Sequence, residues 1–175
     1  GVGSTTAMFG LVDALMVRPL PHVSRPDRLA AIEEIANYAR NEDVGSRVRT
    51  MDFAGYLHVM SVSLGAGPQA RSIDAQCVTE SYFSVVGTSP VIGRGFARDE
   101  HKPGGAPVIV IAHGLWMRQF GADANVLGRR VRIADQDYSI IGVAPRGFRG
   151  IGSSRVDAWL PLGSHADLCL GNAKL

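Results

Sequence analysis

The 175-residue sequence has little of what marks an enzyme, a nucleic-acid binder or a membrane span. It holds no G-x-x-x-x-G-K-[ST] string, so no glycine-rich loop with a following Lys cradles a triphosphate, and the chain does not itself hold ATP. It has no G-x-S-x-G nucleophile elbow: Ser153 and Ser154 lie near Gly150 and Gly152 but miss that spacing. Its five histidines, His22, His58, His101, His113 and His165, form no H-x-x-x-H or H-E-x-x-H pair, so a helix-borne metal site has no support. Each is expected to be exposed, with His113 starting a helix. There are only two cysteines, Cys77 and Cys169, far apart and without C-x-x-C pairing. Neither a zinc site nor a disulfide framework is indicated, and the sequence by itself favours two unpaired thiols.

Long apolar runs are missing as well. The stretch from Ala7 to Val17 is interrupted by Gly10 and Asp13 and stops at Arg18, short of the roughly 20 residues that span a bilayer. The N-terminus shows no basic n-region and no initiator Met, so the chain is expected to be an excised piece of something longer. Charge of one sign is scarce: 18 Lys and Arg against 16 Asp and Glu leave a net charge of +2, and the basic residues are scattered, which excludes nucleic acid as a partner.

What is present belongs to a folded protein. A hydrophobic fraction of 46% with 19% charged residues excludes wholesale disorder. The length fits one core or two small lobes, since domains cluster around about 100 to 200 residues. Gly (21) and Pro (9) are dispersed between periodic segments rather than massed into a linker.

Periodicity gives the elements. Ser4, Thr5 and Thr6 cap a helix with Phe9, Val12, Leu15 and Met16 at helical spacing, ending before Pro19. Arg28 to Ile35 is read as a strand and Asn37 to Ser46 as a loop. Phe53, Tyr56, Leu57 and Met60 predict a second helix, broken at the Gly65, Gly67, Pro68 turn. Ile73, Ala75 and Cys77 alternate with polar residues, a half-buried strand over Ala70 to Val78. Ser81 to Val86 reads as a helical turn, and Gly87 to Phe96 as an irregular loop. Val108 to Ala112 is an unbroken apolar run, a strand covered on both faces, followed by Leu115, Trp116 and Phe120 at helical spacing. Arg129 to Ala134 and Tyr138 to Ala144 form a hairpin about Asp135-Gln136-Asp137, and Trp159 to Leu162 is a last short strand. The fold class is α+β.

The remaining chemical candidates read as structure. Gly93-Arg94-Gly95 opens like a dinucleotide fingerprint, but Arg98 stands in the third glycine's place. Asp99 and Glu100 are adjacent, which does not set two carboxylates across a substrate, and the solvated loop running on through Lys102 to Gly105 is the plainer reading. Trp116 and Trp159 are expected to be core anchors. No catalytic, cofactor-binding or metal residue is named, and the chain is not expected to be an enzyme. A binding or force-transmitting module is the natural consequence.

Two blocks carry a resemblance. Val78 to Phe96, VTESYFSVVGTSPVIGRGF, resembles the V-s-x-n-Y/F-F-x-v-l-G-v-x-P-x-x-G-R-x-F element of the MacB-like periplasmic core domain of FtsX/MacB-type ABC transporter permeases. Ala106 to Gly150, from APVIVIAHGLW to IIGVAPRGFRG, resembles the same family's second element, and Asp157 to Leu162, DAWLPL, its following strand. The N-terminal GVGSTTAMFGLVDALMVRPLP resembles the helix that continues out of the first membrane segment. Asn37 to Gly67 matches weakly, Asp135-Gln136-Asp137 replaces the usual Asn-Gly turn, and the family's return helix is not matched.

The resemblance implies a mixed two-lobe periplasmic domain: a βαβ-like membrane-proximal lobe mainly in 1–69, a distal lobe with a small sheet and hairpin mainly in 70–162, and a tail over 163–175. It implies an inner-membrane permease, dimeric at full length, driven by a cytoplasmic ABC ATPase, with this domain periplasmic and coupling ATP-driven movement to a periplasmic substrate or adaptor protein. The wording is most similar to the orphan permeases, which leaves the substrate and its binding residues unassigned. The alternative is a periplasmic protein-binding adaptor without mechanical coupling.

Overall fold

The computed structural model describes Val23, Leu29 and residues 52–151, 154–163 and 166–169. The expected N-terminal helix, the Arg28 to Ile35 strand apart from Leu29, the Asn37 to Ser46 loop and most of the tail lie outside them. Strands β1 (Met60–Leu64), β2 (Arg71–Val78), β3 (Ile92–Gly93), β4 (Val108–Ile111), β5 (Arg130–Ile133), β6 (Gln136–Val143) and β7 (Ala158–Pro161) make one mixed sheet. Helices α1 (Tyr82–Val86), α2 (His113–Phe120) and α3 (Ala166–Cys169) accompany it. The α+β class is as expected, and no helix among the described residues is long and apolar enough to cross a membrane.

The sheet closes on itself. Its order is β3-β6-β4-β7-β2-β1-β5, and β5 also pairs with β6, so six strands form a ring and β3 continues the lane of β5 along the far half of β6. The β2–β7 and β4–β6 pairings are parallel, the others antiparallel. Closure rests on one residue pair, Leu64 with Ile133, flanked by hydrogen bonds from Gly65 N–H to the Arg132 carbonyl (2.8 Å) and from Ala134 N–H to the Ser63 carbonyl (2.9 Å).

Alternation sorts side chains to the two faces. Val62, Ile73, Ile109, Ile133, Ile140 and Leu160, one from each ring strand, share a single buried cluster with Leu115 of α2, as the interior of a closed sheet requires. Val110 and Trp159 face the other way and pack with Tyr82, Phe83, Phe148 and Val156. All four residues of β4 and of β7 are buried, which explains their unbroken apolar runs. A β-bulge shifts the register so that Ile109 pairs with Ile140 but Val110 with Gly142. The extra residue, Ile141, lets both Ile140 and Val143 reach the inner cluster despite their odd spacing.

Several expectations are corrected. The helix over Phe53 to Met60 is not formed: Leu57 N–H donates to the Cys77 carbonyl, Thr79 N–H to the Gly55 carbonyl, and Met60–Leu64 pairs with Arg71–Ala75. The edge of β2 offers this segment a ladder of backbone partners, and tertiary pairing overrides the helical spacing of its apolar residues. The Gly87 to Phe96 loop contains the two-residue β3, and the last strand begins at Ala158. Cys77 and Cys169 are joined as a disulfide with Cα atoms 5.9 Å apart, pinning α3 to β2. Spacing could not reveal this pair, because 92 residues separate two positions that only the sheet order brings together.

The hairpin turn also moves. Ile133 pairs with Gln136 and Arg132 with Asp137, so the turn is Ala134-Asp135 rather than 135–137. Ala134 has φ of +50°, where a Cβ crowds the backbone. Ala134→Gly is expected to raise stability by about 0.5–1 kcal/mol, the relief of left-handed strain exceeding the entropy added to the unfolded chain. A thermal melt checks it, with a rise of about 2 °C expected for a chain of this size.

Candidate functional site

The unusual residues of this chain concentrate in the segment from Glu80 to Gly105, which wraps from the end of β2 over α1 to the start of β4. α1 buries Tyr82, Phe83 and Val86 and ends at Gly87, whose φ of +71° reverses the chain and returns its N–H to the last turn. Val91 N–H then donates to the Val143 carbonyl (2.8 Å) and Arg94 N–H to the Ile141 carbonyl (3.0 Å), tying the loop to the bulge of β6. Gly93, at φ +74°, lies where a Cβ would collide with the Ile141 carbonyl oxygen. Phe96 tucks against Phe83 at 5.9 Å between centroids, and Phe83 in turn meets Trp159 edge-on at 5.7 Å.

Charge braces the same loop. The Arg94 guanidinium grips Glu100 with both arms, Nη1 to Oε2 at 2.8 Å and Nη2 to Oε1 at 2.6 Å, and Ala97 N–H adds a third bond to Oε2 at 2.7 Å. The Arg94 hydrogen bonds, followed by that of Ala97, hold the buried Glu100 carboxyl below the usual carboxylate range against the opposing effect of burial. Beyond it, His101 is buried, with Nε2 3.8 Å from Glu80 Oε2 and Nδ1 accepting the Gly163 N–H at 3.4 Å.

Two of the residues weighed as surface features are thus internal. Glu100 and His101 were expected on a solvated loop, whereas Asp99 alone of the acidic pair is exposed. No sequence pattern marks Glu100: its partner lies six residues back across an irregular turn. His113 opens α2 as expected, and His58 is exposed. Trp159 is fully buried and Trp116 packs partly buried against the inner cluster, both as core anchors. Ser154 is exposed, while Ser153, His22 and His165 lie outside the described residues.

Among the described residues, shallow clefts include two beside these elements. One of about 570 Å³ lies over the ring closure, lined by Ser63, Gly65, Arg132 and Asp135, and one of about 370 Å³ lies beside the braced loop, lined by Glu80, Phe83, Thr88, Pro90, Arg94 and Phe96. Among the described residues no group of three or more His, Cys, Asp and Glu side chains is placed to hold a metal ion. Arg94 and Glu100 are spent on each other, so this pair stiffens the surface of the loop.

Arg94→Ala tests the brace. It strands a buried carboxylate on one backbone N–H, and because Arg94 itself is half-exposed the cost should fall below that of a fully buried pair, at about 2 kcal/mol near neutral pH. Glu100 has a lowered folded pKa, so its contribution is complete above the unfolded carboxyl value of about 4.3 and fades as pH falls through the folded value. Urea melts should therefore show the gap between wild type and Arg94→Ala narrowing below about pH 4.

The profile of the MacB-like periplasmic core domain matches residues 1–171. The chain is similar to the probable syringafactin export ATP-binding/permease protein SyfD of Pseudomonas syringae pv. syringae, 30% identical over 110 residues, which is 60% of this chain but 17% of that protein. In fold it is similar to the periplasmic region of MacB from Actinobacillus actinomycetemcomitans, with TM-score 0.52, 18% identity, and 69% of this chain covering 61% of that one. It is likewise similar to the extracellular domain of the noncanonic ABC-type transporter YknZ from Gram-positive bacteria, with TM-score 0.58, 18% identity, and 78% covering 70%.

Proposed function

Because the chain belongs to the family of MacB-like periplasmic core domains, we propose that it is the extracytoplasmic domain of an ABC transporter permease and passes ATP-driven movement of membrane helices to a periplasmic substrate or adaptor protein. The role is transport, with ATP hydrolysis left to a cytoplasmic partner and no catalytic step assigned to these residues. The full-length permease works as a dimer in this reading. The Gly1 to Leu20 segment is the input, the lobe mainly within 70–162 is the moving body, and β1 joins that body's sheet.

The observation that carries the reading is how the family's signature residues are used in this chain. Gly87, Gly93, Arg94 and Phe96 are spent on anchoring one loop to a closed sheet, through a chain reversal, a close backbone approach, a half-buried ion pair and an aromatic contact. A body braced in this way moves as a unit, which is what displacement of a packed lobe requires. The Cys77–Cys169 disulfide fits an oxidising compartment outside the cytoplasm.

The test is a topology and co-purification experiment on the full-length protein. A periplasm-active reporter fused at this domain should give signal, and an ABC ATPase should co-purify. Cytoplasmic signal, or a protein with neither membrane nor ATPase partner, sinks the proposal.

A further inference from the structure

Where α2 begins beside the segment that enters β7, two guanidiniums converge on a glycine. Arg118 stands one turn after Gly114 on the same face of α2, and helical side chains lean toward the N-terminus, which lays its guanidinium over the glycine. Arg155 reaches the same place from the far side: Val156 turns into the outer core, and Arg155 and Asp157 on either side of it meet Arg118. Nη1 of Arg118 and Nη2 of Arg155 each lie 3.0 Å from where a Cβ on Gly114 would stand, so the two nitrogens are no further apart than twice that distance. A methyl group there would crowd both, and the glycine is what lets them approach.

The charges at this place do not balance. Arg118 Nη2 bonds Asp157 Oδ1 at 3.0 Å, and Arg155 Nε stands 3.7 Å from the same oxygen. That carboxylate is carried on a fixed backbone: Asp157 N–H donates to the Asp74 carbonyl (2.7 Å), and its own carbonyl accepts the Ala112 N–H (2.8 Å). One carboxylate thus serves two guanidiniums, and among the described residues Arg118 Nη1 and Arg155 Nη2 have no protein acceptor. Two like charges held this close repel, and an oxyanion between them relieves the repulsion. The first turn of α2, which has no side-chain cap on its N–H groups, favours a ligand of the same sign. The two arginine side chains are 49% and 50% exposed, so a solute can reach them.

We infer that Arg118 and Arg155, brought together over Gly114, clamp an external carboxylate. Each guanidinium donates to one oxygen of the ligand, and with Asp157 the occupied site sets two carboxylates against two guanidiniums. A doubly charged phosphate would overshoot that balance beside Asp157. The ligand is a free small acid or the acidic side chain of a protein partner, which present the same group. The inference does not rest on the transport role.

The test follows the Gly114 amide and the Arg118 and Arg155 side-chain N–H signals of the 175-residue chain by NMR at neutral pH, while sodium acetate replaces sodium chloride at constant ionic strength. Wild type should give saturable shifts confined to these groups. Arg155→Gln should weaken binding about tenfold, the low end for a hydrogen bond to a charged group because the site is open to solvent. Gly114→Ala keeps every charge and suits a helix better than glycine, yet its methyl parts the guanidiniums and should weaken binding by a similar factor. A second titration with the blocked tripeptide Gly-Glu-Gly, against Gly-Gln-Gly, separates the sources. A response to acetate, with or without the tripeptide, assigns a free small acid, and a response to the Glu tripeptide alone assigns an acidic protein segment. Shifts that grow linearly with both probes, or that saturate equally in wild type, Arg155→Gln and Gly114→Ala, overturn the proposal.

Discussion

Replacing Cys77 and Cys169 together by Ala is expected to lower the unfolding free energy by about 4.5 kcal/mol, the chain-entropy value for a cross-link that closes a loop of this length. The sequence separation is 92 residues, so the bond removes a large share of the freedom of the unfolded chain. Both sulfurs also belong to the inner cluster, where Cys77 is fully buried on β2. The transition should fall by about 10–15 °C. Scanning calorimetry with and without reductant checks it: reductant should lower the wild-type transition toward that of the double variant and leave the variant unmoved. A wild-type transition indifferent to reductant, with both thiols then shown to be free, would sink the expectation.

Trp159→Ala is expected to cost about 4 kcal/mol, within the range for truncating a buried aromatic residue in a core. Trp159 is wholly buried, stacks on Phe148 at 5.3 Å and meets Phe83 edge-on at 5.7 Å. It is where β7 receives α1 and the loop after β6, so a void there removes the common partner of two segments. Trp159→Phe should recover more than half of the loss, since most of the apolar contact returns. Denaturant titrations of the three proteins measure this. Hydrogen exchange should also quicken at Val91 and Arg94 in the Ala variant, because Phe96 reaches Trp159 through Phe83. Equal stabilities for the Ala and Phe variants would show that packing at this site does not carry the load.

The parts legible in the sequence were those where one local rule decides. Val108–Ile111 is buried on both faces and followed by Leu115 at helical spacing, and the structure has β4 and α2 there. The alternation of Ile73, Ala75 and Cys77 yielded β2, and the helical turn read over Ser81 to Val86 is α1. Where a distant partner decides, the reading failed. Phe53 to Met60 has helical spacing, but β2 claims its backbone. Glu100 and His101 sit among charged residues, yet Arg94 and Gly163 draw them inside. The disulfide depends on β2 lying beside β7, a parallel neighbour whose paired residues stand 83 positions further along (Ala75 with Ala158) and whose position no local pattern encodes. The braced loop was legible only as a resemblance. The structure supplies what its glycines, Arg and Phe do there: a chain reversal, a close backbone approach, an ion pair and an aromatic contact.

Closing the ring has a consequence for how such domains tolerate one another. An open sheet carries two unpaired margins, and each is a template on which a second chain can add a strand. Here β5, one end of the sheet order, is joined to β1 at Leu64 and Ile133 and is paired again with β6, which closes the ring. Among the described residues only β3 stands outside the ring, and it offers two residues, one of them Gly93 in a left-handed conformation. Among the described residues, closure through the single Leu64–Ile133 pair narrows the margin on which a second strand could add to the outer stretches of β1 and β5.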